Sequence, residues 1–158
     1  MKTTLEESRE NKHKETVNVL QNIIEKNYDA EKGYKKAMQD AKNTSLKEFL
    51  KEQAAQRSRF ATAIDLKLRQ LDETPKESGS TSGALHRAWI DIKSSLSGNE
   101  DEAVLEEVIR GEKASVDEYQ EVLEKHTLAP DISQELRSQM STIQNTLDRV
   151  KTMEDIAS

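Results

Sequence analysis

Two tyrosines, and the residues spaced from them, carry most of the chemistry this sequence offers. Tyr34 and Tyr119 each follow a polar residue by seven positions, Asn27 and Glu112 respectively. Nineteen residues after Tyr34 comes Gln53, with Gln56 three further on; twenty after Tyr119 comes Gln139, with Thr142 three further on. Seven residues make two helical turns, so within a helix each tyrosine lies on the same face as its polar partner. Amides donate and accept, so such a group can close into a hydrogen-bonded layer inside a fold. Glu31, one turn beyond Asn27, adds a second carboxylate. With Glu112 it could hold a cation instead. A third arrangement turns these side chains outward, the inward stripe lying one residue away.

Other chemistries find little support. The histidines are His13, His86 and His126, and no two stand at the i, i+3 or i, i+4 spacing of a helical metal pair. Their types and places suit surface or helix-end roles, and His86 with Arg87 beside Trp89 could also touch a partner. There is no cysteine, which excludes disulfides and thiolate metal sites. Neither a Gly-x-Ser-x-Gly elbow nor a glycine-rich phosphate loop occurs.

Helices must position the polar group. The chain has 158 residues, 34% of them charged, with 5 glycines and 2 prolines. Its mean hydropathy is low, −0.87, yet the apolar residues recur at helical period, which argues for a folded domain. The first stripe runs Val17, Leu20, Ile23/Ile24, Asn27, Ala30/Glu31, Tyr34, Ala37/Met38, Ala41. Ser45 with Glu48 predicts a capping box opening a second helix, whose stripe is Leu46, Phe49/Leu50, Gln53, Gln56/Arg57, Phe60, Ala63/Ile64, Leu68, Leu71. So short a link predicts an antiparallel hairpin. After the turn-rich stretch 73–83, Ala84 to Leu96 reads as a short amphipathic helix carrying Trp89 and stopped at Gly98. Asn99 with Glu102 opens a third long helix on Leu105, Val108/Ile109, Glu112, Ser115/Val116, Tyr119, Val122/Leu123. Asp131 with Gln134 opens a fourth, along Ile132, Leu136, Gln139/Met140, Ile143, Thr146/Leu147, Val150 and Met153. The connection between the two hairpins is long enough to run the length of a bundle.

The net charge of −6 disfavours a nucleic-acid role for the whole chain. The charge is uneven: Lys32 to Arg59 holds eight basic and three acidic residues, Ser97 to Glu124 ten acidic and two basic. Two solvated faces of opposite sign, packed as neighbours, would account for this. A protein partner or self-association through those faces is the sharper reading, and contact with phosphates a remote one. The polar start and the lack of a long apolar run suggest neither a standard secretion signal nor a membrane span, and a cytoplasmic location is expected.

The stretches "EKGYKKA", "LKEFLKEQAAQRSRFA", "GALHRAWIDIKSSLSG" and "EVIRGEKASVDEYQEVL" resemble a bacterial ferritin-like four-helix-bundle family of unknown function. In ferritin-like proteins two helices each give a Glu, often with a Tyr seven residues later, and the other two each give Glu-x-x-His. Carried over position by position, the resemblance puts Asn27, Glu112, Gln53, Gln56, Gln139 and Thr142 where a di-iron centre has its ligands, one carboxylate and no histidine, which implies that the usual two-metal site has been lost. Neutral amides are poor ligands for two close cations, which carboxylates must neutralise and bridge.

The sequence thus predicts an all-α, antiparallel four-helix bundle of ferritin-like topology, its long crossover carrying a short amphipathic helix. Residues 1–15 form a flexible polar N-terminus or the start of the first helix, and 16–158 a single domain. The expected role is non-enzymatic, structural or interaction-based, in the stress-associated vein common among ferritin-like relatives. Asn27, Glu31, Tyr34, Gln53, Gln56, Glu112, Tyr119 and Gln139 form a polar core layer with no cofactor. The alternative is a metal-binding or di-iron protein using Glu31 and Glu112 with iron or manganese.

Overall fold

The computed structural model describes residues 1–79 and 100–157. Among them are four helices and no strand: α1 (Thr4–Asp40), α2 (Thr44–Gln70), α3 (Glu100–Lys125) and α4 (Pro130–Ala157). None is long and apolar enough to cross a membrane. The short amphipathic helix expected at 84–96 lies outside the described residues, as do His86, Arg87, Trp89 and the expected cap at Asn99.

Helix α1 begins well before its apolar stripe. Thr3 Oγ1 accepts from the Glu6 N–H at 3.1 Å, and the Glu6 carboxylate accepts from the Thr3 N–H at 3.3 Å. This capping box starts the helix inside the polar segment, and residues 4 to 15 are exposed. Burial begins at Val19 and then follows Leu20, Ile23, Ile24, Asn27, Ala30, Tyr34 and Ala37.

The caps of α2 and α4 differ from those the sequence suggests. Asn43, not Ser45, caps α2, its side-chain oxygen accepting from the Leu46 N–H at 3.0 Å. The reason is tertiary. Asp101, at the start of α3, accepts from the Lys42 and Asn43 N–H groups at 2.7 and 3.1 Å, fixing the turn two residues earlier. In α4, Pro130 takes the first helical position, where its missing N–H costs nothing. The Ile132 and Ser133 N–H groups return to the Ala129 carbonyl, and the Asp131 carboxylate accepts from Lys67 Nζ at 3.1 Å.

Helix α2 ends in a Schellman turn. The Glu73 N–H reaches the Leu68 carbonyl and the Asp72 N–H the Arg69 carbonyl, with Asp72 at φ 60°. The chain then runs back beside α1. Gln21 donates to the Thr74 carbonyl and accepts from the Lys76 N–H, both at 2.9 Å. Lys76 pairs with Glu25 at 2.5 Å, and Gly79 lies so close to buried Asp29 that a Cβ would sit 2.2 Å from its Oδ1.

The core has two apolar halves, each drawing on all four helices. One gathers Tyr34, Leu50, Val104, Val108 and Val150 among others. The other gathers Leu20, Ile23, Ile64, Leu68, Tyr119, Leu136 and Ile143. Between them lie buried polar side chains.

Asp72 occupies a left-handed conformation that glycine adopts without steric cost. Asp72→Gly is expected to stabilise the fold by up to about 1 kcal/mol, net of glycine's greater freedom in the unfolded chain. Calorimetry should register this as a rise of the melting midpoint.

Candidate functional site

The polar layer is built around a residue that the tyrosine spacing does not reveal. Arg57, on α2 one turn beyond Gln53, is buried to 2% exposure among the helices. One guanidinium nitrogen donates to Glu112 Oε1 on α3 at 2.7 Å, the other to Asn27 Oδ1 on α1 at 3.0 Å. Glu112 is 1% exposed, so this is a salt bridge inside the core.

Hydrogen bonds lead outward from Arg57 in one direction. Asn27 Nδ2 donates to the Tyr119 hydroxyl at 2.8 Å and to the Ile23 carbonyl at 2.9 Å. The Tyr119 hydroxyl donates to Gln139 Oε1 on α4 at 2.7 Å. Gln139 Nε2 then donates to the Glu135 carboxylate at 3.2 Å and to the Phe60 carbonyl at 3.4 Å. A second link joins α2 and α4, the Thr146 hydroxyl donating to Gln53 Oε1 at 3.1 Å. The chain of donors begins on a cation and ends on a carboxylate, so each bond polarises the next favourably.

The titration behaviour of the layer follows from burial and charge. Burial alone would pull the Arg57 pKa down, but Glu112, Tyr119 and Tyr34 more than offset it, and the net shift is upward. Burial raises the Tyr119 pKa to about 12, against the lowering effects of Arg57 and of the Asn27 hydrogen bond. Tyr34 lies well above the ordinary 10.0, first through burial and then through the Glu112 carboxylate beside its hydroxyl. Each tyrosine thus meets the polar residue of the other hairpin: Tyr119 meets Asn27, and Tyr34 meets Glu112.

Of the residues the sequence singled out, Asn27, Tyr34, Gln53, Glu112, Tyr119 and Gln139 are buried together. Glu31 is not among them. It lies at the edge of α1, paired one turn on with Lys35 at 3.1 Å, where water and lysine satisfy its charge. Gln56 is half-buried, because the α2 face that enters the core passes through Gln53 and Arg57. Thr142 donates back to its own helix at the Ser138 carbonyl, and Thr146, one turn on, faces the layer. His13 pairs with Glu73 at 3.1 Å and His126 with Glu15 at 2.5 Å, both on the surface.

Arg57 and Thr146 are what reasoning from the tyrosines missed. A signal existed: Arg57 is the one basic residue on any of the four inward stripes, and a carboxylate such as Glu112 cannot enter a dry core unpaired. Among the described residues, no group of three or more histidine, aspartate or glutamate side chains gathers where it could hold a metal ion. The layer offers one carboxylate, neutral amides and phenols, and a fixed positive charge already in contact with that carboxylate.

Residues 15–125 match the family described as a domain of unknown function, DUF2383. The chain belongs to that family. The matched span holds Asn27, Arg57, Glu112 and Tyr119, and ends before Gln139. No curated protein matches the sequence.

All 3 tyrosines have raised pKa values. An alkaline absorbance titration should therefore show the buried Tyr34 and Tyr119 still protonated past pH 10 while the protein is folded, with the less buried Tyr28 ionising before them. The unfolded chain loses those protons first, so stability must fall as pH rises past 10. Phenolate at Tyr34 and Tyr119 should appear together with loss of helical circular dichroism.

Proposed function

We propose that the chain is a non-enzymatic, antiparallel four-helix bundle of ferritin-like topology, with a structural or interaction role, in which an ion-paired polar layer stands in place of a di-metal centre. The contacts at its two ends support the arrangement. At one end Asp101 clamps the turn between α1 and α2. At the other, His13 meets Glu73, Glu15 meets His126 and Lys67 meets Asp131. Residues 71–79 leave the far end of α2 and run back along α1, and α3 begins at the end where Asp101 holds the turn. One long crossover in a four-helix bundle is the ferritin-like pattern.

The observation that carries the reading is the buried 2.7 Å contact of Arg57 with Glu112. A pair of divalent ions needs several anionic oxygens to neutralise it, and here the one buried carboxylate of the layer is already matched by a guanidinium. No cofactor is required to satisfy these groups. The sequence-level alternative of an iron or manganese site on Glu31 and Glu112 loses its first ligand to the surface pair with Lys35. Glu112→Ala is then expected to cost roughly 3–5 kcal/mol, because it leaves a buried arginine without its partner. Metal analysis of protein purified without chelator should find nothing above trace before or after the substitution. Two equivalents of iron or manganese in the native protein would sink the reading.

The interaction role rests on surface charge. Lys32, Lys35, Lys47, Lys51 and Arg59 are exposed on the α1–α2 hairpin, and Glu106, Asp117, Glu121 and Glu124 on α3. Such faces suit a protein partner of mixed charge or another copy of the chain, in a cytoplasmic, stress-associated setting. If copies associate this way, light scattering should report a larger mass at low ionic strength and the monomer at high salt, since screening shortens the reach of these charges. A mass insensitive to salt removes self-association and leaves the partner.

A further inference from the structure

The acceptors around Arg57 form a recess with recognisable chemistry. Glu112 supplies one negative charge and Asn27 a carbonyl oxygen, and the Tyr34 and Tyr119 phenols lie near enough to favour the charged guanidinium. Glu112 and Asn27 sit on different helices and accept from two different nitrogens of the same guanidinium, at 2.7 and 3.0 Å. A planar fork of donors spans two such acceptors at once, whereas an ammonium group is a compact point charge. A divalent metal would leave an uncompensated positive charge against a single carboxylate in a dry interior.

We infer that this layer is a guanidinium-binding site, filled in the native chain by Arg57 itself and able to accept a free guanidinium ion once that side chain is cut back. The inference rests on the metal-free reading above and names the cation class that the interior recognises. Truncation at position 57 leaves Glu112 charged and Asn27 with its carbonyl aimed at an empty volume. That volume has the shape, the charge and the acceptor positions of the group just removed. Free guanidinium is ordinarily a denaturant, so stabilisation by it would be a specific signature.

The experiment follows the melting midpoint of the full chain carrying Arg57→Ala. Low-millimolar guanidinium chloride is compared with sodium chloride and urea at equal concentration. Guanidinium should raise the variant's midpoint saturably, by about 3 °C or more, because it binds the folded state alone. It should leave the native chain unchanged, since Arg57 fills the site. An equal rise in sodium chloride, or none in guanidinium, overturns the inference. A rise produced by manganese in place of guanidinium overturns it in favour of a metal ion.

Should Arg57→Ala stay unfolded under all conditions, the pair Arg57→Met with Glu112→Leu decides, because it removes both charges. A midpoint above that of Glu112→Leu alone supports the site, and one at or below it overturns the inference. The two readings fail separately: metal in the native protein defeats the proposed function, while absent rescue in metal-free protein defeats this inference alone.

Discussion

A group that can only donate sits at the centre of this protein and fixes every rotor around it. The Arg57 guanidinium has no acceptor, so Asn27 must turn its carbonyl oxygen toward it. The Asn27 amide nitrogen then faces Tyr119, whose hydroxyl must accept there and donate onward to Gln139. Gln139 is thereby left showing its nitrogen to Glu135 and the Phe60 carbonyl. Three side chains that could each be satisfied in several ways, Asn27, Tyr119 and Gln139, have one joint solution. The Ile23 and Phe60 carbonyls and the Glu135 carboxylate, which only accept, close the series in the same sense from its other end.

This arrangement contributes more to uniqueness than to net stability. Burying two charges costs several kcal/mol each, and a well-packed apolar pair of similar volume would often be at least as stable. What the layer adds is a penalty for every wrong alignment. Sliding α2 one turn toward the start of α1 would set Arg57 against Ile23 or Ile24 in an apolar half of the core and leave Glu112 on α3 without its counter-charge. Two apolar clusters of long helices have many near-equivalent packings, and one ion pair between them leaves few. Buried polar residues fix register in coiled coils on the same grounds. The partners come from opposite hairpins, the basic α1–α2 side lending one cation and the acidic α3 one anion.

Much of this was legible in the sequence, and what was not has physical causes. Four long helices follow from the spacing of residues such as Leu20, Ile64, Val108 and Ile143, because burial of one face requires that period. Six members of the layer follow from the same stripes. The helix starts were harder to read. Ser45 and Asp131 are sound capping residues by local rules, yet Asp101, distant in sequence, fixes the turn before α2, and Pro130 takes the first position of α4. Glu31 and Gln56 sit at stripe edges, where one helical step of about 100° separates core from rim. Arg57 escaped notice because its type argues for water, and only the demand of Glu112 for a counter-charge places it inside. That demand is a property of the assembled core and of no single helix.

The likeness between the two helix pairs breaks at Asn27 against Glu112 and at Arg57 against Ile143, and those two breaks set the charge balance of the layer. The tyrosines reach across reciprocally, Tyr119 to Asn27 and Tyr34 to Glu112, as two copies of one hairpin would arrange them. With a carboxylate at both places the interior would hold two negative charges, and a single guanidinium could not neutralise them. Asn27 keeps the shape of such a side chain and removes its charge, so one arginine suffices. The amide also supplies what a carboxylate lacks, a donor for Tyr119, and the hydrogen-bond series can continue across the axis to α4. One neutral residue thus sets both the charge count and the direction of the layer, and the matched charges of Arg57 and Glu112 are what let these polar groups lie between two apolar halves.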